Sequence, residues 1–326
     1  MFAQPTLQVA RDRYGNPLIV PEAGGEPVAY RRISGVADTV ASREGLADWK
    51  LRQVALGMGR RPDLVQLAAT VATNSDDADK KKLRGIFKDA MDAASSDAAA
   101  NVGTSLHTWT ERADTGGDLS GMKDPTAIAG VAAYREALEA RGLRPLAAEV
   151  FVVVDELQVA GTLDRLYAMF PPDGPPLVVV GDTKSGQNSP EYASSTEIQV
   201  ACYAHGALYD PATGQRTPLS SVGVSQALGL LVHLPAGGGT CTIHSLDLER
   251  GWTMAHVAVA VRAWRGTPEA PQWWPAHLAH LGMSADPKPR EIRAWAASRG
   301  IYCPDRGRVP GAVRAAYEQA RLAGAS

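Results

Sequence analysis

The sequence predicts an α/β protein with a small helical domain at its C-terminal end, and three observations predict it. Three consecutive runs rich in β-branched and aromatic residues occupy the middle of the chain: Glu149–Val154 (EVFVVV), Val159–Phe170 (VAGTLDRLYAMF) and Leu177–Lys184 (LVVVGDTK). Apolar residues at helical spacing dominate before these runs and recur after them. The tail from Asp286 onward is short, basic and helical in pattern.

In chain order, residues 5–33 alternate short apolar pieces with Gly and Pro (LIVPEAGGEPVAYRRIS), which reads as an irregular or hairpin-like lead-in. From Thr39 to about Ala72 the spacing of Val40, Leu46, Trp49, Val54, Leu56, Leu64 and Leu67 is helical, with Gly57, Gly59 and Pro62 predicting an interruption. The segment from Ser75 to Asp114 is Ala-rich and charged, and near its end His107 and Glu111 stand four apart, on one face of a helix. After the Gly-rich TGGDLSGMKDP a helix is expected from Thr126 to Arg141, closed by Gly142 and Pro145. The three strands follow, the first two as a hairpin across DELQ, the second and third separated by PPDGPP. Next come a helix over Tyr192–Tyr209, strands near Val222–Leu234 and Thr240–Leu246 around PAGGG, and a helix over Leu248–Trp264. Five prolines between Gly266 and Pro289 mark a linker. Two short helices, Arg290–Arg299 and Pro310–Leu322, close the chain around GIYCPDRGRV.

Composition sets bounds on function. The 326 residues carry 33 Lys+Arg against 35 Asp+Glu, with 45% hydrophobic and 21% charged residues, as in a globular chain able to bury a full core. The net charge of −2 hides an asymmetry: the tail from Asp286 has eight basic and four acidic residues, a net of +4, so the preceding 285 residues carry −6. A basic tail on an acidic body points to two functional parts. The N-terminal residues place charges where a secretory signal needs an apolar run, and no stretch reaches the roughly 18 apolar residues of a membrane span, so a cytoplasmic protein without a membrane partner is expected. Cys202, Cys241 and Cys303 are scattered, which excludes a disulfide framework and a four-thiolate iron–sulfur cluster.

The strongest chemical signal lies between Glu149 and Tyr203. Asp164 sits in the second strand, while Asp182 and Lys184 end the third and, two residues apart, share a face. Two carboxylates and a lysine one strand step away suit metal-assisted phosphodiester hydrolysis. Hard oxygen ligands hold Mg²⁺ or Mn²⁺, and an ammonium orients a nucleophile or offsets developing charge. Upstream, Glu149 opens the hairpin as a further acidic group, and His107 offers a nitrogen suited to Mn²⁺. Downstream, Gln199 and Tyr203 are four apart on one face of the next helix. His205, His233, His244, His256, His277 and His280 show no metal-ligand pairing.

This order resembles the PD-(D/E)XK nuclease superfamily, in its RecB-like branch of phage and CRISPR adaptation exonucleases. That branch has a helical His, an acidic residue opening a hairpin, a G-x-x-D strand, a D-x-K strand and Q-x-x-x-Y on a helix. Here the elements read Gly103…His107, Glu149, Gly161-Thr162-Leu163-Asp164, Asp182-Thr183-Lys184 and Gln199-Val200-Ala201-Cys202-Tyr203. The resemblance spans roughly residues 30 to 262. It implies a restriction-endonuclease-like mixed central sheet flanked by helices, with His107, Asp164, Asp182 and the Thr183 backbone carbonyl as metal ligands. It also implies Lys184 as the catalytic lysine, Glu149 as a further acidic group of the catalytic set, and Gln199 and Tyr203 in support. The implied cofactor is Mg²⁺ or Mn²⁺, without the iron–sulfur cluster some relatives carry.

In the tail, Arg306-Gly307-Arg308 lies in a loop between two helices, where two guanidiniums flanking a glycine can enter a narrow A·T-rich minor groove. Together with Ile292-Arg293-Ala294-Trp295-Ala296, Gly300, Val309-Pro310, Val313 and Ala316-Tyr317 it resembles the C-terminal DNA-binding domain of the actinobacterial H-NS-like nucleoid silencer. Ile301–Asp305 diverges from that family, and Trp295, Val313 and Tyr317 are expected in the small core. The domain plan is therefore a nuclease domain at 1–265, with a helical part at 35–142 and a catalytic sheet core at 146–262, then a linker at 266–285 and a DNA-binding domain at 286–326. The expected function is a metal-dependent DNA exonuclease of phage or bacterial replication, recombination or repair, with a helicase or annealing protein as partner. A restriction-like endonuclease and an architectural DNA-binding protein on a nuclease scaffold are the alternatives.

Overall fold

The computed structural model describes residues 8–42, 44–71, 76–94, 98–171, 174–186, 193–266 and 287–323. The chain divides into two compact units, Met1–Trp264 and Arg265–Ser326. Most of the Pro-containing segment expected as a linker lies outside the described residues. No helix among the described residues is long and apolar enough to cross a membrane.

The first unit is a mixed α/β body. Its lead-in forms a two-stranded antiparallel ribbon, β1 (Leu18–Ile19) with β2 (Val28–Ala29), followed by β3 (Arg31–Arg32) and the short helix α1 (Ile33–Ala37). Three helices come next: α2 (Glu44–Arg60), α3 (Pro62–Ala69) and α4 (Asp77–Ala93). They share a small core of Leu64, Ile86 and Ala90 with Val54, Met58 and Leu83 against it. The expected break at Gly57 and Gly59 is not there; α2 runs through both. Gly57 is needed because a Cβ at that position would run into the Ala90 carbonyl of α4. The interruption falls at Arg61, just before Pro62.

Then follow α5 (Ala98–Asp114) and α6 (Pro125–Glu139), which starts with the Asp124 carboxylate accepting from the Thr126 N–H at 3.0 Å and with Pro125 in its first turn. The central sheet has eight strands. Along it run β10 (Thr242–Asp247), β9 (Leu228–His233), β6 (Leu177–Lys184), β5 (Val159–Met169), β4 (Leu143–Val154), β7 (Ala207–Tyr209) and β8 (Arg216–Pro218), with β3 pairing β5 off this path. β6 and β9 are parallel, as are β3 and β5, and the remaining pairs are antiparallel. Together with α1, α7 (Ser194–Ala204) and α8 (Leu248–Gly266) the sheet buries its main core, and a second core joins it to α5 and α6 through Leu106, Tyr134 and Leu138.

Other elements also differ from expectation: the strand expected near Val222–Leu234 is Leu228–His233, and Leu219–Val222 forms a 3-10 turn before it. β4 begins at Leu143 rather than Glu149, since Arg144 and Pro145 interrupt its apolar run and a register shift falls between Pro145 and Ala147. The helix expected to reach Tyr209 ends at Ala204, and Ala207–Tyr209 instead pairs with Val152 and Val153 of β4. Gly206 makes that possible, because a Cβ there would collide with Val152.

The second unit holds α9 (Pro289–Ser298) and α10 (Gly311–Ala323). α9 ends in a Schellman motif: Gly300 (φ +64°) donates to Ala297 and Ile301 to Ala296 at 2.8 Å. Ile292, Ala296, Val309 and Val313 form its core with Trp295, Cys303 and Tyr317 against them. Trp295 and Tyr317 meet edge to face, 5.3 Å between ring centroids.

Candidate active site and nucleic-acid interface

The site of the first unit forms where β5 and β6 part. Their last backbone pair is Arg165↔Gly181, and beyond it β6 keeps only its parallel partner β9, with Asp182 opposite Leu231 and Lys184 opposite His233. Asp164 and Asp182 are the next residues on the two diverging strands. The opening is bridged by a side chain, as the Thr183 N–H donates to Asp164 Oδ2 at 2.9 Å.

Glu149 joins them through a coordinated slip in β4 and β5. Ala147 and Val150 on one strand, and Leu163 and Leu166 on the other, pack into the same core although each pair is three residues apart, so the two-residue alternation is offset on both strands at once. Ala148↔Arg165 and Val150↔Leu163 bracket Glu149, which therefore stands opposite Asp164. Its φ of +52° is a left-handed conformation that a non-glycine residue adopts at a cost, and such strain concentrates at functional positions. Three carboxylates thus line up across β4, β5 and β6.

Asp182 is only 2% exposed. Its Oδ1 accepts from Gln199 Nε2 at 3.0 Å, and the Lys184 ammonium lies 2.7 Å from Oδ2. Burial pushes its carboxyl up to about 6, the charge of Asp164 adds to this, and Lys184 opposes it. Burial would pull Lys184 down, but the Asp182 carboxylate outweighs it and keeps the ammonium charged. Glu149 is pushed up to about 7 by partial burial, then by Asp164 and Glu111, with Arg165 opposing. His107 projects from α5 with Nδ1 3.8 Å from Asp164 Oδ2. Burial lowers its pKa against the pull of Asp164 and the Thr183 backbone, favouring the neutral ring with a free lone pair. Tyr203 is buried and packs on Gly161, where a Cβ would stand 3.0 Å from its hydroxyl. The glycine of the G-x-x-D strand is thereby explained.

Every residue singled out in the sequence for the body, Glu149, Asp164, Asp182, Thr183, Lys184, His107, Gln199 and Tyr203, lies at or beside this fork. Among the described residues no three His, Cys, Asp or Glu side chains already form a metal cage, since Asp182 is turned toward Lys184 and Gln199. The donor set nevertheless fits a hard divalent cation. Asp182 Oδ2 is buried with the Lys184 ammonium 2.7 Å away, and Glu149 and Asp182 both resist ionising beside Asp164. Sequence reasoning missed Arg165 and Asp114, whose 2.6 Å ion pair is buried beside the fork. The one available signal was a charged residue directly after Asp164 in an otherwise apolar strand.

In the second unit Arg306, Gly307 and Arg308 are all exposed, and Gly307 has φ +85°. Arg293 braces their loop from α9, donating from Nε to the Pro304 carbonyl at 2.7 Å and from Nη2 to the Gly307 carbonyl at 2.6 Å. Those bonds tie down the loop backbone and leave the Arg306 and Arg308 side chains outside.

Residues 284–320 match the family model described as the Lsr2 DNA-binding domain. The match supports DNA as a partner of this chain and covers none of the fork. No curated protein matches the chain.

Proposed function

We propose that the body is a divalent-metal-dependent DNA nuclease of restriction-endonuclease-like fold, an exonuclease of phage or bacterial DNA replication, recombination or repair, delivered to A·T-rich duplex by the C-terminal domain. The observation that carries the reading is the gathering of Glu149, Asp164, Asp182 and Lys184 at one strand fork, with Asp182 buried against the lysine. Charge placed at the end of an apolar strand needs a partner or a metal, and three carboxylates exceed what one lysine can offset.

In this reading Asp164, Asp182, His107 and the Thr183 carbonyl hold Mg²⁺ or Mn²⁺, which supplies Lewis acidity toward a phosphodiester. Lys184, kept charged by Asp182, orients the attacking water and offsets charge developing on the phosphate oxygens. Gln199 fixes the Asp182 carboxylate by donating to Oδ1, and Tyr203 fills the space over Gly161. Glu149 adds an oxygen donor opposite Asp164. The basic tail raises the local concentration of the body on DNA.

The test is incubation of the full chain with end-labelled linear DNA and with closed circular DNA, each with Mg²⁺, Mn²⁺ or EDTA, beside a Lys184→Ala control. Metal-dependent loss of linear DNA alone, absent in the control, is expected. Cutting of circles converts the reading to an endonuclease. Binding of both without cutting rejects the nuclease in favour of a DNA-binding protein on this scaffold.

A further inference from the structure

We propose that Arg165 is a positioning residue that sets the His107-bearing helix against the Asp164-bearing strand; the proposal rests on the nuclease reading above. A guanidinium only 1% exposed, in a strand whose other buried residues are apolar or aromatic, is costly to bury and has to be held by specific partners. Its partners all lead back to the fork. Nη1 donates to the backbone carbonyl of Asp164 at 2.7 Å and lies 4.0 Å from Glu149 Oε1. Nε donates to Asp114 Oδ2 at 2.6 Å, and Nη2 reaches Thr110 Oγ1 at 3.4 Å. Thr110 in turn donates to the His107 carbonyl at 3.0 Å.

His107, Thr110 and Asp114 are spaced three and four apart on α5, so they share one face of that helix. One planar fork therefore grips two of them and the residue carrying the Asp164 carboxylate. A rigid guanidinium can hold three donors in fixed directions, which a lysine ammonium cannot. Asp114 is itself fixed, since Tyr134 donates to its Oδ2 at 2.8 Å. Because Asp114 neutralises the guanidinium, Arg165 serves geometry more than charge at the fork. Small displacements matter there: a misplacement of about 1 Å costs on the order of 100-fold in rate.

The test compares wild type with Arg165→Lys and with Thr110→Val. Measured are melting, DNA affinity in EDTA, Mn²⁺ affinity from the free-ion paramagnetic resonance signal, and cleavage of linear duplex below the melting transition. Arg165→Lys is expected to bind DNA like wild type and bind Mn²⁺ more weakly, with kcat down about 100-fold and KM little changed. Thr110→Val keeps the Asp114 pair, so it is expected to melt like wild type and still lose kcat several-fold. A purely structural Arg165 gives a different pattern: a lower melting temperature with kcat and Mn²⁺ affinity of the folded protein unchanged, and that pattern overturns the proposal. Should Arg165→Lys not fold, unchanged kcat in Thr110→Val overturns it alone. A wild type that neither cuts DNA nor binds Mn²⁺ sinks the nuclease reading, and this proposal with it, by an outcome distinct from the variant results.

Discussion

Asp164 takes over a hydrogen bond that its strand no longer makes: one step past the last β5–β6 backbone pair, its Oδ2 accepts from the Thr183 N–H at 2.9 Å. The carboxylate thus bridges the fork at Thr183, the residue between Asp182 and Lys184. Asp164→Asn keeps the size of the side chain and an oxygen for that N–H but removes the charge. Melting within a few degrees of wild type is expected, with DNA binding retained and cleavage down by at least about 100-fold, the order lost when a preorganised charged partner is removed. Cleavage that survives the substitution would place the reaction elsewhere.

Gly161 and Tyr203 form a second pair that can be tested. An alanine methyl at Gly161 would meet the Tyr203 hydroxyl at 3.0 Å and its ring Cε1 at 3.3 Å, so the ring has to move within a packed core. Gly161→Ala is expected to cost about 1–3 kcal/mol by overpacking. Tyr203→Phe removes the hydroxyl, so the same alanine should cost less in that background. Chemical denaturation of the four proteins measures the coupling, and strictly additive losses would show that the two residues do not meet.

How far the site could be read in the sequence follows from what kind of signal each residue leaves. Asp182 and Lys184 were legible because two residues apart on an apolar strand fixes their common face, and Gln199 because helical spacing ties it to Tyr203. Glu149 opposite Asp164 depends on an offset shared by two strands, which alternation along either strand cannot reveal. Arg165 and Asp114 pair across 51 residues of sequence, and nothing local to either announces the other. In the fold, Gly57 and Gly59 read as helix breakers by propensity, yet α2 runs through both, and at Gly57 close packing against Ala90 overrides that preference. β7 leaves no local signal of its own because Ala207 and Leu208 pair with β4, from which more than fifty residues of chain separate them.

Asp155, at the far end of the β4–β5 hairpin, gives a prediction with a definite sign in pH. Tyr30 donates to its Oδ1 at 2.6 Å, and Arg216 donates to both oxygens at 3.0 Å. Burial alone would raise its pKa, but the bonds from Arg216 and Tyr30 outweigh it and hold the carboxyl below its ordinary 3.8. A carboxyl depressed on folding stabilises the protein above its unfolded value, and that contribution fades as pH falls through the folded value. Asp155→Asn is therefore expected to cost about 1–3 kcal/mol at neutral pH, as for a lost charged hydrogen-bond partner. Its deficit relative to wild type should shrink as the pH is taken below 3.8. Denaturation curves at neutral and acid pH check this, and a deficit independent of pH would mean that Asp155 is not held ionised by Arg216.

The tail makes its prediction through salt. Arg306 and Arg308 are exposed, while the loop that carries them is held from behind by Arg293 and by a core centred on Ile292 and Val313. Removing both guanidiniums should therefore leave the unit folded and change only what it contacts. Each cation that displaces counterions from duplex DNA contributes about 0.9 to the slope of log affinity against log salt, so Arg306→Ala with Arg308→Ala should flatten that slope by about 2. The preference for A·T-rich duplex should fall with it, because a narrow minor groove attracts inserted arginines through its concentrated negative potential. Fluorescence anisotropy of the full chain on A·T-rich and G·C-rich duplexes at several salt concentrations, in EDTA to prevent cleavage, measures both effects together. A lower affinity with an unchanged slope and unchanged A·T preference would mean that the loop acts through the fold of the tail and not by touching DNA.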